Sequence, residues 1–466
     1  MKYNPHKYQE YATNKIIENP ACALLLDCGL GKTVITLTAI KRLKYEMFAA
    51  RKILIIAPKT VAEDTWQSEA KKWDHLNGLT FSTIMGTEKQ RKDALKAKAD
   101  IYVINRENTV WLVKEVGNAW DFDTVVLDES TSFKNHAAQR FKAVKAVRPK
   151  IRRIIELTGT PNPRGLMDLW AQIYLLDTGT RLGRTITSYR DMYFKPDKRN
   201  GAIIYSYKPK DGSEQAITNA ISDIAVSMKA EDYLQLPELI EHDVTVILDK
   251  HAQSLYDLLE RDALLEVDTD TITAANAAGL SNKLLQLCSG AVYTEPGTPD
   301  GERGIMLVHD CKIEALIELL EQIGAEHAIV CYGFVHDKDR ILRAVERAGK
   351  RVRVYNGAED KDDWNSGRID VLLIHPSSCG YGLNLQQGGH HIIWFTPTWN
   401  LEEYIQANKR LHRQGQSKPV ICHRLLVKGG RDEDVVQSLS SKDAIQERLL
   451  QSLKARIEYI REERSL

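Results

Sequence analysis

Two series of short, β-rich apolar runs, each run followed by an amphipathic stretch, constrain this chain more than anything else in its sequence. The first series is Ala23-Leu24-Leu25-Leu26, Lys52-Ile53-Leu54-Ile55-Ile56-Ala57, Ile101-Tyr102-Val103-Ile104, Thr124-Val125-Val126-Leu127 and Arg153-Ile154-Ile155-Glu156-Leu157. The second is Ala328 to Tyr332, Val352 to Tyr355, Val371 to Ile374, His391 to Phe395 and Val420 to Leu426. Strands separated by helical stretches pair in parallel, because a parallel connection needs a long crossover, and near-continuous apolar runs mark strands buried on both faces. The expected fold class is therefore α/β, with two parallel-sheet lobes and a mainly helical insertion between them.

Parallel sheets gather their chemistry at the carboxyl ends of the strands. Gly29-Leu30-Gly31-Lys32-Thr33 follows the first run after two intervening residues, and Asp128-Glu129 follows the fourth. A glycine turn that opens a helix points backbone N–H groups and a helix N-terminus at one spot, which suits a polyphosphate. Lys32 is placed to reach the β- and γ-phosphates of ATP, Thr33 to put a hydroxyl on Mg²⁺ and Asp128 to hold that ion through water. Glu129 is placed to orient or deprotonate the attacking water. Leu26 stands where the strict phosphate-loop pattern has a glycine. The acidic pair, in the right order and at the right distance, is what lifts the glycine turn above an ordinary strand-to-helix turn.

Composition narrows the setting. Lys plus Arg number 64 against 63 Asp plus Glu, so any nucleic-acid surface must be a local stripe balanced by acidic faces elsewhere. The seven cysteines show no Cys-x-x-Cys and no zinc-like spacing with histidine, so most are expected to act as small buried apolar residues. No apolar run approaches the roughly 18 residues that span a bilayer, and the amino terminus has no signal-peptide h-region. A cytoplasmic protein of a microbial or viral host cell, with no membrane partner, is the expectation.

The stretch Gln406-Ala407-Asn408-Lys409-Arg410-Leu411-His412-Arg413-Gln414-Gly415-Gln416 is expected on one helix, with Arg410 and Arg413 sharing a face. Phosphoryl transfer needs positive charge on its transition state, and an arginine finger supplied by a separate lobe couples hydrolysis to lobe closure. Gln406 is placed to help position the γ-phosphate or the water. The expected domains are 1–165 for lobe one, 166–309 for the helical insertion and linker, 310–430 for lobe two, and 431–466 for a C-terminal helix with a solvated face. Lys195 to Gly201 reads as a hairpin or exposed loop.

Taken together, these residues resemble the superfamily-two helicase-related ATPases and, more narrowly, the Swi/Snf-type ATPases, over nearly the whole chain. Tyr8-Gln9 resembles the adenine-reading glutamine element, Gly29 to Thr33 motif I, Ala57-Pro58-Lys59 motif Ia, and Asp128-Glu129 followed by Lys134-Asn135 motif II in its Swi/Snf form. Leu157 to Pro161 with Leu169-Trp170 is similar to motif III, Gly380 to Leu385 to motif V, Trp399-Asn400 to the pair before motif VI, and Gln406 to Gln416 to motif VI itself.

The resemblance implies two RecA-like lobes and a nucleotide held by Gln9, Gly29, Leu30, Gly31, Lys32, Thr33, Gly382 and Asn384. It implies a motor that tracks one strand of a DNA duplex without necessarily separating the strands. Sliding calls for sequence-blind phosphate contacts. The candidates are Lys59, Thr60, Asn105 and Arg106 in lobe one and Ser377, Ser378 and Trp399 in lobe two.

Three departures touch only the grip on DNA. Pro163-Arg164 replace the family's Gln-Asn, His375-Pro376 replace Ser-Thr so that the hydroxyl contact shifts to Ser377 or Ser378, and Met228-Lys229 stand for an arginine-rich element. A strand-separating helicase, with Ile203 to Tyr207 as its pin, is one alternative. A nucleotide-gated clamp or recruiting module is another. With no targeting module recognised in the sequence, targeting is expected from the insertion or from a partner protein such as a nuclease. The active site needs one chain, so a monomer is the expectation.

Overall fold

The computed structural model describes every residue except 28, 162–164, 198, 201–202, 205, 235, 269–273, 295–303, 379–382, 445 and 447–466, and the side chains of 199–200, 203, 261–278 and 280. The chain divides into two compact units, Met1–Leu234 with Lys442–Leu466, and Gln235–Ser441. Each is built on one parallel sheet.

In the first unit the strands are β1 (Ala21–Leu26), β2 (Ile53–Ala57), β3 (Phe81–Ile84), β4 (Ile101–Asn105), β5 (Thr124–Asp128), β6 (Arg153–Thr158) and β7 (Ala225–Met228). They lie in the order β7-β1-β6-β5-β2-β4-β3, every pair parallel. The central strands are buried along their length, as apolar runs covered on both faces must be. The register sets Leu25 opposite Thr158 and Asp128 opposite Leu157. The carboxyl ends of β1, β6 and β5 therefore form one edge. Helices α1 (Lys7–Glu18) and α2 (Lys32–Lys41) flank β1 in sequence.

The second unit holds β8 (Leu239–Val246), β9 (Ala328–Cys331), β10 (Val352–Val354), β11 (Val371–Ile374), β12 (His391–Trp394) and β13 (Val420–Val427) in the order β8-β13-β12-β9-β11-β10, again all parallel. Alternate residues serve two cores. Val330, Leu373, Ile393 and Leu425 face one, and Ile329, Leu372, Ile392 and Trp394 the other. Helix α3 (Cys311–Gln322) brings Lys312 into a fully buried ion pair with Asp432, at 2.8 Å. Helices α4 (Val335–Arg347) and α5 (Leu401–Asn408) complete the part of the unit that concerns the site.

Three features differ from the expectations. Edge strands β3, β7 and β8 are additional to the runs read from the sequence; β8 carries Glu241, His242 and Asp243 in a row and is mostly exposed, so it lacks the apolar signal of a central strand. The chain divides at Leu234/Gln235, inside the segment expected as an insertion, because β7 joins the first sheet and β8 the second. The residues from 431 to 444 are helical, and Val435 and Leu439 are buried in the second unit's core rather than on a solvated face. The segment after Tyr193 pairs as an antiparallel hairpin, Phe194–Pro196 with Tyr207–Pro209. Among the described cysteines all are free, and Cys22, Cys288, Cys331 and Cys422 are buried. Among the described residues no helix is long and apolar enough to cross a membrane.

Candidate nucleotide site

At the carboxyl edge of the first sheet the chain leaves β1, turns through Gly29 (φ +91°) and Gly31 (φ +80°) and enters α2, with Gly31 at the cap position. Positive φ at both positions is what glycine tolerates. Gly31 is also crowded: an added Cβ would lie 2.9 Å from Gln9 Nε2 and 3.1 Å from Val34 Cγ1. At Gly29 an added Cβ would meet nothing within 4 Å. Gln9, on α1 and buried, accepts from His6 N–H at 2.9 Å and donates to Leu30 O at 3.5 Å, so the glutamine element is tied to the turn it was expected to accompany.

Lys32 and Thr33 open α2. Lys32 Nζ donates to Leu26 O at 3.0 Å and lies 3.9 Å from Glu129 Oε1. A Cβ at position 159 would fall 3.2 Å from Leu26 O and 3.8 Å from Lys32 Nζ, so Gly159 leaves the space this amine occupies. Asp128 ends β5 and Glu129 follows in the left-handed region at φ 53°, ψ 63°, a conformation costing a non-glycine residue about 1–2 kcal/mol. It is held there from two directions: Ser132 N–H donates to its carbonyl at 3.0 Å and Thr158 Oγ1 to its Oε2 at 3.5 Å. Strain of this kind, secured by neighbours, is common at functional sites.

Asp128 is buried, and its Oδ2 accepts from Trp66 Nε1 at 3.1 Å. Burial pushes its carboxyl up to about 6, against the downward pull of Lys32, the Trp66 N–H and the Glu129 N–H. A carboxylate whose charged form is disfavoured by burial gains from a cation beside it. The donor set fits Mg²⁺ bound with substrate phosphates, which takes one or two carboxylates and no all-protein cage. Among the described residues no group of three or more His, Cys, Asp and Glu is arranged to hold a metal ion. The open glycine turn and helix N-terminus fit a polyphosphate. Trp66 carried no distinguishing sign in the sequence beyond being an aromatic in the amphipathic stretch after β2.

In the second unit the structure corrects the expected helix through Gln416. Helix α5 stops at Asn408, where the backbone tightens into turns: Arg410 N–H donates to Ala407 O at 3.0 Å and Leu411 N–H to Asn408 O at 3.2 Å. The Asn408 side chain is occupied by Trp394, whose Nε1 donates to its Oδ1 at 3.0 Å. Arg410 and Arg413 still converge. The NH1 atoms of both donate to Leu383 O, at 3.1 and 3.4 Å, so a shared carbonyl replaces a shared helical face. Gln406, within α5, donates to Glu402 Oε1 at 3.4 Å. Asn384 is exposed, and its carbonyl accepts from Asn365 Nδ2 at 2.9 Å. Gly382 lies outside the described residues.

The expected nucleic-acid contacts fall into two sets. Lys59 and Thr60, just beyond β2, are exposed, Lys59 with Glu63 at 3.9 Å. Ser377 and Ser378 follow β11 and are exposed; Ser377 Oγ bonds His375 Nδ1 at 2.7 Å. Asn105, by contrast, is buried and engages both ends of its amide, donating to Glu107 Oε2 at 2.8 Å and accepting from Asn108 Nδ2 at 2.6 Å. Arg106 Nε donates to Glu107 Oε1 at 3.0 Å. Trp399 lies under the Arg431 guanidinium, 5.4 Å from its ring centre.

Comparison with known proteins gives the family. Residues 8–289 match the SNF2-related domain and residues 311–415 the helicase conserved C-terminal domain. The chain is 35% identical over 463 residues to putative protein p41 of Acyrthosiphon pisum secondary endosymbiont phage 1, covering 97% of this chain and 99% of that protein. It is 25% identical to the DNA repair and recombination protein RDH54 of Saccharomyces cerevisiae (strain JAY291), covering 93% of this chain and 52% of that one, about half its length. Among solved structures, the Sulfolobus solfataricus SWI2/SNF2 ATPase core in complex with dsDNA is similar at 22% identity and a TM-score of 0.45, over 97% of this chain and 94% of that one. The SNF2-related match and the helicase C-terminal match together define a helicase-related, nucleic-acid-dependent ATP hydrolase. Within that class, the chain belongs to the SNF2-related family.

Proposed function

We propose that this enzyme is an ATP-driven translocase on double-stranded DNA, moving along the duplex or displacing proteins bound to it. The observation that carries the reading is the gathering of Lys32, Asp128 and Glu129 at one sheet edge, with Lys59 and Thr60 exposed beyond the neighbouring strand β2. That arrangement supports coupling between phosphate chemistry and a sequence-blind grip on a backbone. The DNA repair role in the name of RDH54 supports DNA as the polymer.

In this reading Gln9 reads the base, and Gly29 to Gly31 cradle the phosphates through backbone N–H groups. Lys32 exchanges its bond to Leu26 O for the β- and γ-phosphates. Thr33 and Asp128 hold Mg²⁺, and Glu129, fixed by Thr158, accepts the proton of the attacking water at its carboxylate. When bound, Mg·ATP supplies the phosphoanhydride to be cleaved and the cation that neutralises its charge. Arg410 and Arg413 neutralise charge that develops during transfer, a role that contributes several powers of ten in rate where it has been measured. Ser377 and Ser378 offer hydroxyls to phosphates. A monomer acting in a microbial or phage-infected cytoplasm, targeted by a partner protein, completes the proposal; the phage origin of p41 supports that setting.

ATP hydrolysis measured with duplex DNA, single strands and RNA tests it. The duplex should stimulate most, and triplex displacement should accompany hydrolysis. A reversed ranking together with fork unwinding would establish a strand-separating helicase, and hydrolysis without either motion would establish a clamp. Arg413→Ala should lower DNA-stimulated turnover and leave nucleotide affinity nearly unchanged.

A further inference from the structure

Trp66 is almost wholly buried, 1% exposed, yet its ring nitrogen has a single polar destination, Asp128 Oδ2 at 3.1 Å. Indole Nε1–H is a donor only, so the bond has one direction and the carboxylate oxygen must accept. The placement is built by the fold. Strand β2 pairs with β5, Ile56 opposite Leu127, and the chain leaving β2 passes through a π turn, Val61–Thr65, before the helix Trp66–Lys72 begins. A π turn has a wider hydrogen-bond ring than an α turn and re-aims the residue that follows; such turns are frequent at functional sites. Here the residue that follows is Trp66.

We propose that Trp66 is a positioning residue for the metal-binding carboxylate: its N–H pins Oδ2 of Asp128 and leaves the other oxygen turned to the cation of the bound nucleotide. The proposal rests on the assignment of Asp128 given above. Partners of metal-binding groups act in this way by fixing ligand orientation, and losing one typically costs about 10–100-fold in metal affinity. A tryptophan present only to fill the core would owe nothing to its nitrogen.

The test compares the full chain with Trp66→Phe and with a form carrying 3-benzothienylalanine at position 66, an isostere with sulfur in place of N–H. Mn²⁺ binding to the complex with a non-hydrolysable ATP analogue is followed by electron paramagnetic resonance. Both forms should bind Mn²⁺ about 10–100-fold more weakly. Affinity for the analogue without metal should stay at the wild-type value, and the Mg²⁺ concentration for half-maximal hydrolysis should rise while kcat at saturating Mg²⁺ recovers. If Trp66→Phe does not fold, the isostere decides. Wild-type Mn²⁺ affinity in the isostere overturns the proposal. Asp128→Asn separates the two readings: if it keeps wild-type Mn²⁺ affinity, the assignment of Asp128 itself fails, and if it loses affinity while the Trp66 forms do not, only the role of Trp66 fails.

Discussion

Replacing Lys312 by methionine should destabilise the second unit by several kcal/mol while leaving the first untouched. Lys312 Nζ lies 2.8 Å from Asp432 Oδ2 and donates to Phe395 O at 2.7 Å, and Asp432 Oδ2 also accepts from Val427 N–H at 3.1 Å. The amine thus joins α3 to the chain just beyond β12 and to the helical segment that begins at Arg431, and the Asp432 carboxylate ties that segment to the end of β13. At this separation and an effective dielectric of about 20, the attraction is roughly 6 kcal/mol. The ammonium's own burial cost offsets part of that, and removing one partner of a buried pair loses about 3–5 kcal/mol.

Methionine fills the stem volume, so little of the loss comes from packing. Burial raises the Asp432 carboxyl above its ordinary value even though Lys312 pulls it down. Without the lysine, Asp432 should hold its proton more firmly when folded than when unfolded. The variant then loses stability as pH rises through the unfolded value towards the folded one, so its deficit is larger at pH 8 than at pH 5. Hydrogen exchange read by mass spectrometry on peptides covering Ala328–Cys331, His391–Trp394 and Val420–Val427 measures the loss, with peptides over Thr124–Asp128 as the internal reference. The double variant K312M/D432N, which removes both charges and keeps an acceptor for Val427, should recover most of it. Protection unchanged to within about 1 kcal/mol, or a double variant no better than the single one, would refute the reasoning.

Other outcomes follow from the same structure. Glu129→Gln should bind ATP normally and lose about 10²–10⁴-fold in turnover; substantial residual hydrolysis would remove Glu129 from its role. Gly31→Ala combines a strained φ of +80° with contacts of 2.9 and 3.1 Å to Gln9 and Val34, and should weaken nucleotide binding at least about tenfold in titration calorimetry. Gly29→Ala, with open space around its Cβ, should weaken it less. Across β8, β13 and β12 runs a histidine chain, His242 Nδ1 to His423 Nδ1 at 2.9 Å and His423 Nε2 to His391 Nδ1 at 3.0 Å. Burial first, then neighbouring imidazoles, lower His391 and His423 to about 4. Depressed values mean the unfolded chain binds the extra protons, so the stability they contribute is intact above about pH 6.5 and lost as pH falls towards 4, by about 2–3 kcal/mol per residue. Denaturant midpoints of the second unit at pH 7 and 4.5 should show the drop, and His423→Gln should flatten it.

Much of this protein's fold is legible in its sequence. The central strands were readable because parallel strands covered on both faces are apolar throughout, and the tight turn into α2 because glycine takes the positive φ of Gly29 and Gly31 without strain. Asp128 and Glu129 announced themselves by standing directly after the apolar run Thr124 to Leu127. Edge strand β8 was hidden, since the consecutive polar residues Glu241, His242 and Asp243 interrupt its apolar run, which a mostly exposed edge strand tolerates. The stop of α5 at Asn408 was hidden too, because the tertiary bond from Trp394 claims that side chain and no local propensity encodes it.

The sequence by itself determined the glycine turn, the carboxylate pair and the strands that end in them, through residues whose backbone or charge admits few alternatives. Only the tertiary structure decided which partners those residues keep. Trp66 reaches Asp128 because β2 and β5 are neighbours in the sheet, Arg410 and Arg413 meet because Leu383 O lies between them, and Asn105 turns to Glu107 and Asn108 because its own loop satisfies it. Contacts between residues far apart in the chain depend on strand order and register, which spacing along one strand does not carry.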